Sequence, residues 1–212
     1  AIKLLQEIRD DYSGATKWVI SGCMGSRGDG YDLQFRMSPD EAADYHREQI
    51  QILRRTEADM VTAFTIPYAE EAIGMTTAAH AEDIPVAIGF TVETDGRLPS
   101  GQSLEAAIAQ VDAATDRGPA YYMINCAHPT HFDNVLASDA PWTRRIRAIR
   151  ANASAKSHAE LEAMEVLDDG NPEEFGRQYR ALKGRLNHLN ELGGCCGTDH
   201  RHLEEICQAV LH

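Results

Sequence analysis

Two adjacent cysteines stand near the end of this 212-residue chain, in the run Gly193-Gly194-Cys195-Cys196-Gly197. A disulfide between neighbouring cysteines strains the backbone, and core packing alone does not require two thiols in a row. A third cysteine, Cys126, follows Asn125 at the end of an apolar run. Zn²⁺ is a borderline-soft ion that accepts thiolate ligands, and three protein ligands leave its fourth position free for a substrate. The sequence therefore predicts a zinc site formed by Cys126, Cys195 and Cys196.

The other cysteines and the nearby histidines are weaker candidates for chemistry. Cys23 lies in a glycine-rich loop and matches no ligand position, while Cys207 falls on the apolar side of a predicted final helix and is expected to pack in the core. His128 and His131 follow Cys126 closely. They are either a fourth ligand that closes the metal site or part of a loop that lines the mouth of a pocket.

Composition narrows the classes of partner. A formal charge of −13 and a pI near 5.0 argue against binding to nucleic acid or to an anionic membrane surface. No apolar stretch approaches the length of a bilayer span, and the chain opens without a charged-then-apolar leader. Clustered cysteines in a reducing compartment more often bind metal than form disulfides. We expect a soluble cytoplasmic protein that acts on small molecules, and a homo-oligomer is compatible with the sequence.

Apolar runs alternate with amphipathic segments along the chain. Strands are predicted at about 17–22, 59–66, 85–92, 120–125, 146–151 and 191–194. Helices are predicted at about 38–56, 69–82, 104–116, 172–189 and 199–210, with 154–171 as a long loop. Almost continuously apolar strands that alternate with helices imply a parallel sheet covered by helices. The candidate residues follow strands, where active sites lie both in barrels and in open parallel sheets, so this pattern alone does not distinguish the two.

With these residues identified, the chain resembles the homocysteine S-methyltransferase family. The resemblance covers essentially the whole chain, and its motifs are the segment Ile20–Tyr31, the Thr65-Ile66-Pro67 turn, the Asn125-Cys126 pair and the block from Gly193 to Thr198. It implies a (β/α)₈ TIM barrel whose first two strands are missing from this chain. Residues 1–212 would then form a single homocysteine-binding barrel domain that is incomplete at its N-terminus.

The resemblance also implies an activity. A zinc ion on the three cysteines would activate the thiol of homocysteine, which would take a methyl group by direct displacement and become methionine. Betaine, S-methylmethionine and a methylated folate or corrinoid are all open as donors. By the family pattern, the substrate pocket would be lined by residues of the glycine-rich loop and by residues that follow strands, namely Gly22, Cys23, Asn125 and Asn152.

The chain departs from the family at one position of the predicted site. Phe64 stands immediately before Thr65, where the family commonly has a Glu that contacts the amino group of homocysteine. The acceptor is therefore open, and a methyltransferase acting on a different small thiol or on a selenol is an alternative. A further alternative is a zinc-binding protein of the family that lacks catalytic activity.

Overall fold

A computed structural model of the chain describes residues 1–12, 17–137 and 140–211. Its centre is a six-stranded parallel sheet in which each strand pairs with its sequence neighbours, in the order β1-β2-β3-β4-β5-β6. The strands are β1 (Ser21–Gly25), β2 (Met60–Ile66), β3 (Val86–Phe90), β4 (Tyr121–Asn125), β5 (Ile146–Ala151) and β6 (Glu191–Gly194). The sheet is curled, as expected for six of the eight strands of a (β/α)₈ barrel, so the predicted fold class is confirmed.

Helices connect the strands and cover the outside of the sheet. They are α1 (Ile2–Asp11), α2 (Pro39–Arg54), α3 (Ala69–Ala81), α4 (Leu104–Ala114), α5 (Pro129–Phe132), α6 (His158–Glu162), α7 (Pro172–Arg185) and α8 (His200–Leu211), with short 3₁₀ turns at Val135–Ala137 and Pro141–Arg145. Within the described parts of the chain, no helix is both long and apolar enough to cross a membrane.

Side-chain caps account for several helix starts. The Ser38 hydroxyl accepts a hydrogen bond from the Glu41 amide, and the Glu41 carboxylate accepts one from the Ser38 amide, so α2 begins with the predicted capping box. The Ser103 hydroxyl accepts the amide of Ala106 at the start of α4, and the Asn171 side chain accepts the amide of Glu174 at the start of α7. These bonds satisfy amides that the helices leave without internal partners.

Several element boundaries, one loop assignment and one burial assignment differ from the predictions. The first strand begins at Ser21, because the apolar side chains of Trp18 and Val19 are exposed and do not enter the sheet. It ends at Gly25, so Cys23 lies in this strand and not in the predicted loop. The segment 154–171 is not entirely a loop, since Ser157 and Glu160 form a second capping box that starts α6. Helix α7 ends at Arg185, before the predicted end near residue 189. Cys207 is exposed, because the buried side chains of α8 are His202 and Ile206.

The hydrophobic core lies between the outer face of the sheet and the helices that cover it. Strand residues such as Val61, Ile88 and Phe90 belong to one apolar cluster with the helices, and the rings of Phe90 and Tyr122 stack with centroids 5.8 Å apart. Because side chains alternate along a strand, the intervening residues point to the inside of the curled sheet. That inner face ends, at the carboxyl edge of the strands, beside the predicted metal ligands.

Helices α2 and α3 pack closely because α3 has no side chain at Gly74. A Cβ at this position would lie 2.5 Å from the Cβ of Ala42 and 2.5 Å from the carbonyl oxygen of Pro39. Gly184 lies in the last turn of α7. A Cβ added there would have no heavy atom within 4 Å apart from the adjacent residues and the backbone of its own helix. The two glycines thus differ in surroundings while both lie in helices.

We predict opposite effects of alanine at the two positions. Gly74→Ala should lower the free energy of unfolding by about 1–3 kcal/mol, because overpacking outweighs the gain in helix propensity. Gly184→Ala should raise it by up to about 1 kcal/mol, because it only restricts the unfolded chain and favours the helix. Urea unfolding followed by circular dichroism measures both. Equal effects of the two substitutions would show that the α2–α3 contact is not tight.

Candidate active site

The three predicted metal ligands meet at the carboxyl edge of the sheet. Cys126 directly follows β4, and Cys195 and Cys196 directly follow β6. The Sγ atom of Cys126 lies 2.8 Å from that of Cys195 and 3.8 Å from that of Cys196, and all three sulfurs lie within 4.8 Å of one another. The fold therefore brings together residues from two distant parts of the sequence.

The donor set fits zinc better than a disulfide. A disulfide bond is about 2.0 Å long, which is well below both measured separations. Tetrahedral zinc with Zn–S bonds of about 2.3 Å places its sulfurs about 3.8 Å apart. The separation of Cys126 from Cys196 equals this value, while the closer pair, Cys126 and Cys195, needs to open by about 1 Å to admit the ion.

The backbone conformation of Cys126 is unusual and is fixed from both sides. Its φ of 56° lies in the left-handed region, which a residue with a side chain occupies at a cost of about 1–3 kcal/mol. Its amide donates to the carbonyl of Arg150 at 3.2 Å, and its carbonyl accepts the hydroxyl of Tyr31 at 2.5 Å. Thr91 is hydrogen-bonded to the same hydroxyl at 2.7 Å. The turn at Cys126 is thus held by contacts outside the strand.

The glycines around the cysteine pair allow the turn that follows β6. A Cβ on Gly194 would lie 2.1 Å from the Oγ1 atom of Thr198, whose hydroxyl donates to the carbonyl of Cys195 at 2.7 Å. Gly197 has a φ of 77°, a conformation that favours glycine. The amide of Cys195 donates to the carbonyl of Ala151 at 2.8 Å. These contacts let two consecutive cysteines reach the same centre.

The two asparagines predicted to contact substrate also hold the backbone of the site. The Asn152 side-chain oxygen accepts the amide of Cys196 at 3.1 Å. The Asn125 side chain accepts the amide of Thr65 at 2.9 Å and donates to its hydroxyl at 2.8 Å. It passes over Gly89, where a Cβ would lie 2.6 Å from its oxygen. A direct substrate contact of either asparagine stays a prediction.

Gly22 and Cys23 lie on opposite faces of β1. A Cβ on Gly22 would lie 2.7 Å from a methyl group of Leu53, so this residue faces α2 and not the cysteines. Cys23 points to the inner face of the sheet. Desolvation raises the pKa of its thiol, the Arg150 guanidinium lowers it, and Cys195 raises it. Of the two predicted contacts in the glycine-rich loop, Cys23 is the one whose side chain lies on the side of the cysteine site.

Proton sharing couples the two closest thiols. A hydrogen bond from Cys126 lowers the pKa of Cys195 to about 3, while the same bond raises the pKa of Cys126, the donor. The proton belongs to the pair and not to one residue. The hydrogen bond thus favours the thiolate of Cys195, which is the form that binds a metal.

Neither nearby histidine joins the three sulfurs. His128 is buried, which lowers its pKa to about 4, and its Nδ1 atom lies 2.8 Å from the hydroxyl of Thr130 in α5. The Nε2 atom of His131 lies 2.9 Å from the carbonyl of Ala155. Among the described residues, the ligand atoms that lie within 4.8 Å of one another at this site are the cysteine sulfurs alone. This arrangement leaves a fourth coordination position for an outside ligand.

A comparison with protein families agrees with this geometry. Residues 1–210 match the family model described as homocysteine S-methyltransferase. The chain belongs to the homocysteine S-methyltransferase family.

Two named relatives are longer than this chain. Homocysteine S-methyltransferase 1 of Brassica oleracea var. italica is 27% identical over 221 residues, which cover 93% of this chain and 65% of that protein. Homocysteine S-methyltransferase 1 of Arabidopsis thaliana is 28% identical over 169 residues, which cover 76% of this chain and 49% of that protein. The chain thus spans about half to two-thirds of the length of these relatives.

A solved structure shares the fold. The metallated form of the homocysteine methyltransferase MmuM from Escherichia coli superposes with a TM-score of 0.70 at 16% identity, over 99% of this chain and 68% of that one. At this identity the likeness concerns the fold alone. It agrees with a curled parallel sheet that is part of a barrel.

Two tyrosines of this family member support the site and were not found from the sequence. Tyr31 bonds to Cys126, and its ring stacks on His158 of α6 with centroids 3.9 Å apart. Tyr179 of α7 accepts the amide of Ala151 at 2.9 Å and donates to the carbonyl of Gly193 at 2.5 Å. Tyr31 is the last residue of the glycine-rich motif, so its position could have indicated a role at the site. Tyr179 has no such signal, because its spacing is that of any apolar residue on an amphipathic helix.

We predict that Tyr179→Phe weakens the site without changing its ligands. The substitution removes the hydroxyl that is hydrogen-bonded to the Ala151 amide on β5 and to the Gly193 carbonyl on β6, and each such bond contributes about 0.5–1.5 kcal/mol of stability. Because these strands carry the cysteines, zinc affinity should fall about 10-fold or more. Tyr45→Phe is the control, since Tyr45 is exposed. Competition with a chromogenic chelator measures the affinity, and equal values for both variants would contradict the assignment.

Proposed function

We propose that the protein transfers a methyl group to the thiol of homocysteine and forms methionine, with a zinc ion held by Cys126, Cys195 and Cys196. The observation that carries this proposal is the convergence of three thiols at the carboxyl edge of the sheet with a fourth position left open. Membership of the family and the printed names of the relatives support it. The metal of the MmuM structure supports a metal centre of this kind.

The residues of the chain have separate tasks in this proposal. Zinc bound to the three sulfurs would lower the pKa of a coordinated acceptor thiol, so that the thiol releases its proton to water and binds as an electron-rich thiolate. Asn152 and Tyr179 keep the ligand-bearing strand ends in place. Cys23 and the backbone around Gly22, Asn125 and Asn152 are the candidate contacts for the acceptor. No side chain of the protein needs to act as a nucleophile.

The methyl transfer is a direct displacement. The acceptor sulfur donates an electron pair to the methyl carbon, and a new C–S bond forms as the bond to the donor breaks. The bonding pair of that bond leaves with the donor, so a sulfonium departs as a sulfide and a quaternary ammonium as an amine. The protein contributes by holding sulfur, methyl carbon and leaving atom in line and by excluding water.

A cavity beside the cysteines has room for the donor. Its volume is about 290 Å³, and Cys196 forms part of its wall. Much of its lining comes from the segment 161–168, through the apolar side chains of Leu161, Met164 and Val166 and the acidic side chains of Glu165 and Asp168. This segment is tied down by an ion pair between Lys156 and Asp168. We place the donor methyl group here, because apolar side chains suit a methyl group and keep water away.

Partners and location belong to the same proposal. The partners are a small thiol acceptor and a small methyl donor. A cytoplasmic location is consistent with the five cysteines, all of which are free thiols in the structure. Reducing compartments keep such thiols available for metal.

We predict that Cys195→Ser or Cys196→Ser abolishes both zinc binding and methyl transfer. Cys207→Ser is the matched control, because Cys207 is an exposed thiol on α8. Metal analysis of the purified full-length protein and a thiol-methylation assay with several donors are the measurements. Removal of metal by a chelator should abolish activity, and added zinc should restore it. Full turnover by a Cys195 or Cys196 variant with its zinc retained would disprove the site.

We also predict inversion of configuration at the transferred carbon. A donor whose methyl group is chiral through hydrogen isotopes should give a product of opposite configuration, because a direct displacement inverts the carbon once. Analysis of the configuration of the product methyl group decides this. Overall retention would mean two displacements and hence a methylated intermediate on the protein.

A further inference from the structure

An arginine points into the curled sheet beside the cysteine site. Arg150 lies on β5, and its guanidinium carbon lies 5.2 Å from the ring centroid of Phe64 on β2, so the two side chains meet across the inner face. This contact is a cation–π interaction, which stabilises a cation without neutralising it. The positive charge therefore remains available to another group.

No carboxylate of the described residues neutralises Arg150. Neither a hydrogen bond nor an ion pair to its guanidinium is formed within residues 1–12, 17–137 and 140–211. The carboxylate of Glu191 on the next strand is hydrogen-bonded by the hydroxyl of Tyr121 at 2.8 Å. By contrast, Arg145 at the start of the same strand is paired with Asp112 at 2.8 Å. The guanidinium of Arg150 is half-buried and unpaired within the described residues, so it can accept an anion supplied from outside.

The Arg150 side chain lies next to the strand ends that precede the predicted metal ligands. Arg150 pairs in register with Asn125 and Gly193, which directly precede Cys126 and Gly194. Its Nε atom lies 3.4 Å from the position that a Cβ on Gly193 would occupy. The same charge acts on the thiol of Cys23, which also feels Cys195. A small molecule whose sulfur lies at the three cysteines is therefore within reach of Arg150.

We propose that Arg150 binds the carboxylate of the thiol acceptor, that Phe64 packs against its aliphatic chain, and that the acceptor class is small mercaptocarboxylates, with no requirement for an amino group. This inference rests on the proposed function. A guanidinium offers paired donors that match a carboxylate, whereas an ammonium group beside it meets a like charge. Phe64 supplies no group that neutralises an ammonium.

Binding of three thiols to the zinc-loaded full-length protein tests the acceptor class. The thiols are homocysteine, 4-mercaptobutanoate, which lacks the amino group, and 3-aminopropane-1-thiol, which lacks the carboxylate. Calorimetry should give 4-mercaptobutanoate an affinity at least equal to that of homocysteine, and 3-aminopropane-1-thiol an affinity at least about 10-fold lower. An aminothiol that binds as tightly as 4-mercaptobutanoate overturns the inference.

Variants of Arg150 and Phe64 test whether these residues determine the preference for the carboxylate-bearing thiol over the aminothiol. Arg150→Gln should lower the affinity for 4-mercaptobutanoate about 10- to 100-fold and leave that for 3-aminopropane-1-thiol unchanged or higher. Phe64→Glu should shift the preference towards the aminothiol, because it places a carboxylate beside Arg150. The control is Arg147→Gln on the same strand, where Arg147 lines a separate cavity with Arg144 and His188. Zinc content is measured for each variant, and an equal loss for both thiols at unchanged zinc would contradict the role of Arg150.

The outcomes separate this inference from the proposed function. If the selectivity of binding depends on Arg150 but no donor gives methyl transfer, the proposed function fails and the ligand assignment stands. If methyl transfer occurs but Arg150→Gln leaves the selectivity unchanged, the function stands and the ligand assignment fails. A zinc-loaded protein that binds none of the three thiols refutes both.

Discussion

The site depends on β5, the strand that lies between the two ligand-bearing strands. Its backbone accepts the amide of Cys126 at the carbonyl of Arg150 and the amide of Cys195 at the carbonyl of Ala151. Consecutive carbonyls of a strand point to opposite neighbours, so one strand can hold both ligand segments at once. The sulfurs then meet above the end of β5. The parallel pairing of three strands thus sets the spacing of the donor atoms.

Side-chain hydrogen bonds, in addition to the backbone pairing of the strands, hold the cysteine-bearing segments in place. Tyr179 ties β5 to β6 from the helical layer, and Asn152 holds the second cysteine of the pair through its amide. Tyr31 holds the left-handed turn at Cys126. Asn125 spans a strand to hold Thr65, a second residue with positive φ. Strained backbone persists only where its surroundings specify it fully, and such places often accompany function.

Electrostatics divides the inner face of the sheet into two regions. At the carboxyl edge, the bond from Cys126 lowers the pKa of Cys195 and favours its thiolate, so this region suits a cation. Next to it, Arg150 supplies a positive charge that no described carboxylate neutralises, against the ring of Phe64. With the proposed zinc ion on the three cysteines, a ligand with an electron-rich sulfur at one end and an anionic group at the other would complement both regions. The acceptor proposed above has this shape.

Much of this could be predicted from the sequence, and the misses have physical causes. The six strands, the capping box at Ser38 and the three sulfur donors depend on local pattern and on residue chemistry, which a sequence displays directly, whereas the barrel arrangement of the strands was implied only by the family resemblance. The start of β1 and the exposure of Cys207 depend on which apolar side chains find a partner, and Trp18 and Val19 find none in the described sheet. In the sequence, Phe64 stood out only as a departure from the family, and Arg150 did not stand out at all. Only strand register and the curl of the sheet bring their side chains together, because contact across an inner face is decided by alternation and pairing and not by distance along the chain.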